Sequence, residues 1–258
     1  MGHYSTMKNT KITIVTVTYN ANDLIEQTIQ SVINQTYSNI EYIVIDGAST
    51  DGTLEKIYRY KNHISIFISE KDNGIYHAMN KAIKVATGEW IHFLNAGDYF
   101  ADLNVIDNVF STDDNNIYDF IYGQHIWKNG ESSHLVKTRP LDLMWQHICF
   151  SHQSLFTKTK LLKERPFNTQ YKIVCDYENY YYRYIEGDAF KELDYPIAFF
   201  SAGGYSDVNF FKRTYERWHV VKKSRKASPF FHLYYIRIII KHYLSCLKKK
   251  FSCQTKKH

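Results

Sequence analysis

The amino-acid sequence predicts an α/β fold: a doubly wound, mostly parallel sheet followed by a helical, basic C-terminal extension. Three observations carry that prediction. The run Ile12–Thr18 is β-branched throughout, as suits a strand buried on both faces. Strand-like runs then alternate with helical ones across short connections. The strand-like runs between residues 12 and 98 stop on polar clusters, and open sheets of this kind bind ligands beyond the carboxyl ends of their strands.

The elements follow in order. After Thr18 the chain turns through Tyr19-Asn20-Ala21-Asn22-Asp23, with Asn22 the expected N-cap of a helix that buries Leu24, Ile25, Ile29, Val32 and Ile33. A second strand, 40–45, runs into Asp46-Gly47-Ala48-Ser49-Thr50-Asp51-Gly52-Thr53, a turn cluster opening a short helix. Residues 64–68 read as the third strand, and 90–94 as the fourth. Between them Ile75–Ala86 reads as a helix closed by Gly88. Beyond residue 110 the alternation loosens. A strand is expected at 117–123, a hairpin turning at Asn129-Gly130, further strands at 152–157 and 191–200, and an aromatic helix at 177–185.

Composition narrows the class. With 258 residues, 44% hydrophobic and 16% aromatic, the chain can bury a sizeable core and is not a disordered polymer. The net charge of +6 conceals an asymmetry: residues 212–258 carry 14 Lys/Arg against one acid, Glu216, whereas 1–211 hold 18 basic and 25 acidic residues. An acidic body with a basic tail is unlike a nucleic-acid binder, and suggests a tail that meets an anionic surface. The four cysteines have neither CxxC spacing nor a preceding secretory signal, so reduced thiols in a cytoplasmic setting are expected. Met1-Gly2 with Thr6 fits the permissive myristoylation pattern, although an unstructured or artificial terminus explains it as well. No run reaches the roughly 18 apolar residues of a membrane span. The segment Trp218–Phe251 instead interleaves aromatic and aliphatic residues with Arg and Lys, which fits an interfacial anchor or helices packed on the body.

The strand-end rule gathers Thr18, Tyr19, Asn20, Asp46, Asp72, Asn95 and Asp98 onto one surface. The order of these pieces resembles the nucleotide-binding half of glycosyltransferase family 2, the inverting enzymes of the GT-A fold. Ser69-Glu70-Lys71-Asp72-Asn73-Gly74-Ile75-Tyr76, Ala78-Met79-Asn80-Lys81 and Ala86-Thr87-Gly88-Glu89 extend the resemblance. So do His152-Gln153-Ser154-Leu155-Phe156, Tyr171 to Tyr177 and Gly203-Gly204-Tyr205-Ser206, so that it spans residues 11–206. These pieces are similar to the subgroup that builds bacterial exopolysaccharide and O-antigen units.

The resemblance implies a division into a nucleotide-sugar half, 11–110, an acceptor half, 111–211, and the extension 212–258. It implies a nucleoside-diphosphate sugar donor, with UDP favoured, and a polyprenyl-diphosphate-linked saccharide acceptor. The chain would then work at the inner face of the plasma membrane. Asp46 matches the carboxylate that takes a base ring N–H, while a turn-forming Asp explains the same position. Thr18, Tyr19, Asn20, Asp72 and Asn95 line the nucleotide pocket on this reading. Lys81 either reaches the diphosphate or is solvated.

Asp98 matches the acidic motif that holds Mn2+ or Mg2+ against the leaving diphosphate. Here Asn95, Ala96 and Gly97 stand where the family usually adds further acids, and a helix N-cap is the alternative role. Asp176 matches the catalytic base, a carboxylate at the head of a second-half helix, with an N-cap again the alternative. His152 and Gln153 fall on the acceptor side. Two other classes stay open from the residues alone: a nucleotidyltransferase, which would want a Gly-rich phosphate loop after the first strand, and a non-catalytic glycan-binding protein.

Overall fold

A computed structural model describes residues 10–110, 113–201, 209–224 and 230–254. The glycine-rich segment 203–206 and the Met1-Gly2 pattern lie outside the described residues. The strands are β1 (Ile12–Thr18), β2 (Ile40–Asp46), β3 (Ile66–Ser69), β4 (Trp90–Phe93), β5 (Tyr99–Phe100), β6 (Phe120–Asn129), β7 (Ser132–Val136), β8 (Leu155–Lys158) and β9 (Phe190–Ser201). The helices are α1 (Ile25–Ile33), α2 (Thr53–Arg59), α3 (Ile75–Val85), α4 (Val105–Phe110), α5 (Thr159–Glu164), α6 (Cys175–Glu186), α7 (Phe210–Ser224) and α8 (Phe231–Gln254).

One sheet runs in the order β3-β2-β1-β4-β8-β6-β9-β5, with β7 paired to β6. The first four strands are parallel, so their carboxyl ends open on one side. From β8 the sheet becomes mixed: β8 is antiparallel to both β4 and β6, and β6 is parallel to β9. The α/β fold with a parallel first half is therefore as expected. The looser second half completes the same sheet.

Strand alternation sorts the core into two layers. Val15, Val17, Ile43 and Ile45 face α3 and α6, while Ile12, Ile14, Tyr42 and Val44 face α1, α2 and α4. The two faces are filled, and the β-branched run of β1 follows from that.

Several local expectations are corrected. Asn22 does not cap α1. The helix starts from the Ala21 carbonyl, which accepts from Leu24 and Ile25 N–H, while Asn22 N–H is tied to Asp51. Gly88 does not close α3, which ends at Val85. It lets the chain pass against β1: a Cβ there would lie 2.6 Å from Thr13 N and 2.8 Å from Lys11 O. The strand expected at 117–123 and the first arm of the expected hairpin are one strand, β6, and 152–154 is a 3-10 turn ahead of β8.

The packing runs across residue 212. Val220 and Val221 of α7 and Phe231 and Tyr235 of α8 are buried in the same core layer as Tyr177 and Tyr181 of α6. Glu216 is buried as well, and accepts from the backbone N–H groups of Lys172 at 3.1 Å and Ile173 at 2.9 Å. The extension's one acid thus fixes the loop that leads into α6.

Candidate active site at the strand ends

The loops after β1 and β2 are stitched to each other. Asn20 N–H donates to Ser49 Oγ at 2.8 Å, Thr50 N–H to Asn20 Oδ1 at 2.9 Å, and Ala21 N–H to Thr53 Oγ1 at 2.8 Å. Asp51 is structural, taking the Thr53 N–H at 3.1 Å and hydroxyl at 2.5 Å. This network holds Asn20 and Ala48 at positive φ, +46° and +64°. Gly47 is closely flanked: a Cβ there would meet Asp72 Oδ2 at 3.0 Å and the Tyr19 ring at 3.3 Å. Tyr19, at 65% exposure, and Asp72 therefore both lie against Gly47.

Asp46, which precedes Gly47, is fully buried. Its Oδ1 accepts from Ser49 Oγ at 2.5 Å, and its Oδ2 from Ser49 N at 3.0 Å and Ser69 Oγ at 2.7 Å. Its carboxylate is engaged in building the loop, so of its two readings the turn-forming one describes what it touches. Thr18 is buried, and its hydroxyl has no hydrogen-bond partner among the described residues. Lys81 is neither free nor solvated: it pairs with Glu70 at 2.9 Å, its side chain 15% exposed.

The loop after β4 turns through Asn95 to Asp98, where the Asp98 N–H donates to Asn95 O at 2.9 Å. Asp98 is 5% exposed, its Oδ2 receiving Gln153 Nε2 at 2.9 Å and its Oδ1 the Ser201 N–H at 3.0 Å. Burial pushes its carboxyl up to about 6, against the pull of those two donors and of His152. The helix-cap alternative does not hold either, because α4 begins only at Val105.

A divalent cation is implied by the fold family, and these residues do not fit one. Both oxygens of Asp98 are held by protein donors, Asn95, Ala96 and Gly97 add no carboxylate, and the described residues include no group of three or more His, Cys, Asp or Glu arranged for a metal. To bind a metal, Asp98 would have to release Gln153 or Ser201. As arranged here, Asp98 ties the β4 loop, the turn before β8 and the end of β9 to one another.

On the other side of Asn95 the halves of the chain meet. Asn95 Nδ2 lies 2.9 Å from His152 Nε2, and His152 Nδ1 lies 3.1 Å from Asp176 Oδ2. Asp176 Oδ1 accepts from Tyr177 N at 2.8 Å and from the Tyr76 hydroxyl at 2.8 Å, which is shared with Ile173 O at 2.9 Å. Burial works to raise the Asp176 carboxyl, but the hydrogen bond and charge of His152, with Tyr76 and Tyr177, hold it below its usual value. Asp176 lies inside the first turn of α6 and does not cap it, since the cap position is Val174. Glu178, the neighbouring acid, faces Asn168 and is pushed up by burial.

Asn95, His152 and Asp176 stand apart in the sequence and are joined in the structure, whereas Gln153 turns to Asp98. Sequence reading found each of the four. It missed Tyr76, Ser69 and Ser201. Tyr76 reads as one more apolar residue on the inner face of α3, and only the packing of α6 onto α3 shows what its hydroxyl is for.

Parallel strands with polar loops at their carboxyl ends, joined to a mixed half that brings a buried acid to the same cleft, define the GT-A class of fold. Residues 13–176 match Glycosyl transferase family 2, and the chain belongs to that family. It is 27% identical over 175 residues to a PGL/p-HBAD biosynthesis glycosyltransferase of Mycobacterium bovis, covering 64% of this chain and 66% of that protein. It is 37% identical over 101 residues to the UDP-Glc:alpha-D-GlcNAc-diphosphoundecaprenol beta-1,3-glucosyltransferase WfaP of Escherichia coli, covering 38% of this chain and 39% of that one. The putative teichuronic acid biosynthesis glycosyltransferase TuaG of Bacillus subtilis is 36% identical over 90 residues, 34% of this chain and 36% of its own length. The chain thus spans between 36% and 66% of the length of these relatives.

Among solved structures, TarS of S. aureus in complex with UDP superposes with a TM-score of 0.64 at 19% identity, over 82% of this chain and 64% of that one. The mannosyltransferase PcManGT of Pyrobaculum calidifontis, in complex with GDP-Man and Mn2+, gives a TM-score of 0.65 at 20% identity, over 87% and 68%. These likenesses concern the fold.

Proposed function

We propose that this chain transfers a hexose, with inversion, from a UDP-sugar to a saccharide carried on a polyprenyl diphosphate. The observation that carries the reading is the meeting of the two halves at Asn95: donor-side loops on one side of it, His152 and Asp176 on the other. On this reading the base and ribose rest against Tyr19, Gly47 and Asp72, with Thr18, Asn20 and the Asp46-built loop beneath them. Lys81 would have to exchange Glu70 for the diphosphate to contact it. The acceptor sugar approaches from the His152 side. UDP is favoured because a relative's name specifies UDP-Glc and a GlcNAc-diphosphoundecaprenol acceptor, and a structural neighbour holds UDP.

A membrane-surface role follows from α8, still within the proposal. Leu233, Ile236, Ile240, Tyr243 and Leu244 are exposed along it beside exposed Arg237 and Lys241. An apolar stripe edged with cations suits the interface of an anionic leaflet, where the lipid-linked acceptor resides. No helix among the described residues is long and apolar enough to cross a membrane.

Calorimetry with UDP-, GDP- and ADP-sugars tests the donor half, and UDP release onto a synthetic GlcNAc-diphosphate lipid tests the acceptor half. Absence of nucleotide binding would overturn the reading. Binding without transfer to any lipid-diphosphate saccharide would leave a nucleotide-sugar binder in its place.

A further inference from the structure

Strands β6 and β9 outrun the rest of the sheet on the side of the candidate site. Because β8 is antiparallel to both β4 and β6, and β9 is parallel to β6, both long strands run in the direction of β1–β4 and finish on the same side. The pairing of β8 with β6 ends at Tyr122, whereas β6 goes on to Asn129 and β9 to Ser201. Ser201 and Gln153 hold the two oxygens of Asp98, which brings the end of β9 beside the turn that carries His152. In the strand order β6 stands two places beyond β4, away from β1, β2 and β3 and the loops that carry Thr18, Asp46 and Asp72.

Cross-strand pairing sets aromatic side chains on one face of this projection. Trp127 of β6 stands opposite His134 of β7 and Phe200 of β9, and residues paired across a ladder share a face. His125, two residues before Trp127, shares it too. The Trp127 and His134 rings lie 4.9 Å apart, and the His125 and Phe200 rings meet edge to face at 6.1 Å. Trp127, Phe200 and His125 are half-buried and His134 is exposed. Burial, with the charges of His134 and His152, holds His125 down to about 4, so that it is neutral at physiological pH. Lys128 turns to the other face, where its Nζ donates to the Tyr99 hydroxyl at 3.0 Å.

Such a patch offers little to a phosphate and much to a sugar ring. Flat rings cover the C–H face of a pyranose, while an indole N–H and imidazole nitrogens at the rim meet its hydroxyls. We propose that Trp127, with His134 and Phe200 beside it, is the platform on which a pyranose ring of the acceptor saccharide stacks, so that the β6–β7 hairpin helps to choose the acceptor. This rests on the transfer reading above. It places the acceptor's sugar, rather than the nucleobase or the lipid chain, against the hairpin.

The test measures UDP release from UDP-glucose onto GlcNAc-diphosphate esters of short and of full polyprenyl length, in wild type, Trp127→Ala, Trp127→Phe and His134→Ala. Trp127→Ala should raise the acceptor KM about 10- to 100-fold for both esters alike, the loss expected of a truncated aromatic anchor, with UDP affinity by calorimetry at the wild-type value. Trp127→Phe should recover most of that loss, because the stacking face returns. A loss confined to the long ester assigns the patch to the lipid chain, and a fall in UDP affinity assigns it to the nucleotide. Either overturns the proposal, as does an unchanged KM. Should Trp127→Ala not fold, the exposed His134→Ala decides, with a rise of about fivefold in KM expected and no rise refuting. A wild-type protein that binds UDP yet transfers to no acceptor brings down the transfer reading, and tryptophan fluorescence then judges the platform by itself. GlcNAc-diphosphate should shift the wild-type emission and leave that of Trp127→Phe unmoved; a wild-type emission that does not move, or a shift that persists in Trp127→Phe, overturns the platform.

Discussion

Glu41 offers a perturbation whose size can be worked from the structure. It lies at the amino end of β2, opposite Thr13 of β1 in the parallel ladder. Its carboxylate accepts from Thr13 Oγ1 at 2.6 Å, Thr87 N at 2.7 Å, Thr87 Oγ1 at 2.5 Å and Lys11 Nζ at 3.2 Å. Burial alone would raise its carboxyl, but the four donors outweigh burial and bring it down to about 2. A depressed carboxyl contributes stability that is present above its unfolded value, near 4.5, and is lost as pH falls towards 2. The difference corresponds to about 3 kcal/mol at neutral pH before screening. Lys11 is 44% exposed, so one side of the cluster is open to water, and about 2 kcal/mol is the better expectation. Glu41→Gln should lose that amount in urea unfolding at pH 7, and the gap between the proteins should shrink to about 1 kcal/mol or less at pH 3. UDP affinity should not change, because the site lies at the opposite ends of the strands. A gap under about 0.5 kcal/mol at pH 7, the usual scatter of surface substitutions, or one that stays constant down to pH 3, would refute the reasoning.

Three further outcomes follow from the same structure. The Asp98 carboxyl, raised in the folded state, should titrate near 6 by carbon-13 NMR, so its contribution to stability is full below pH 4 and is lost as pH rises through 6. A midpoint near 4 would show a carboxylate freely open to water. Gly88→Ala should cost about 1–3 kcal/mol, read as a lowered Tm, because the new Cβ collides with β1 backbone rather than with a movable side chain. Replacing Ile236 and Ile240 together by Ser should weaken sedimentation with phosphatidylglycerol vesicles while leaving the melting temperature within a few degrees; unchanged partition would end the interfacial reading of α8.

The parallel half of the fold was legible because its signals are local. Seven consecutive β-branched residues leave little alternative to a buried strand, and polar clusters at strand ends mark the ligand side. Helix caps were less legible, since Asn22 has the right chemistry yet is recruited by Asp51 from another loop. In the site, residue identity was readable but state was not. Asp46 and Asp98 have the residue type expected of ligand contacts, and only distant partners, Ser69 for one and Gln153 with Ser201 for the other, show that their oxygens are already engaged. The pairing of His152 with Asp176 spans 24 residues and depends on how α6 is seated, which no periodicity encodes.

Glu216 ties the C-terminal helices to the chemistry in a way that constrains how the protein can be dissected. The peptide groups it holds, at Lys172 and Ile173, are the last fixed point before the helix that carries Asp176. Ile173 is also where the Tyr76 hydroxyl rests. A chain cut at residue 211 would lose this clasp together with Val220 and Tyr235, so its inactivity would say nothing about lipid contact. The C-terminal helices and the helix that carries Asp176 share one hinge pin, and helices borrowed from another protein would need to bring an equivalent acid at the position of Glu216.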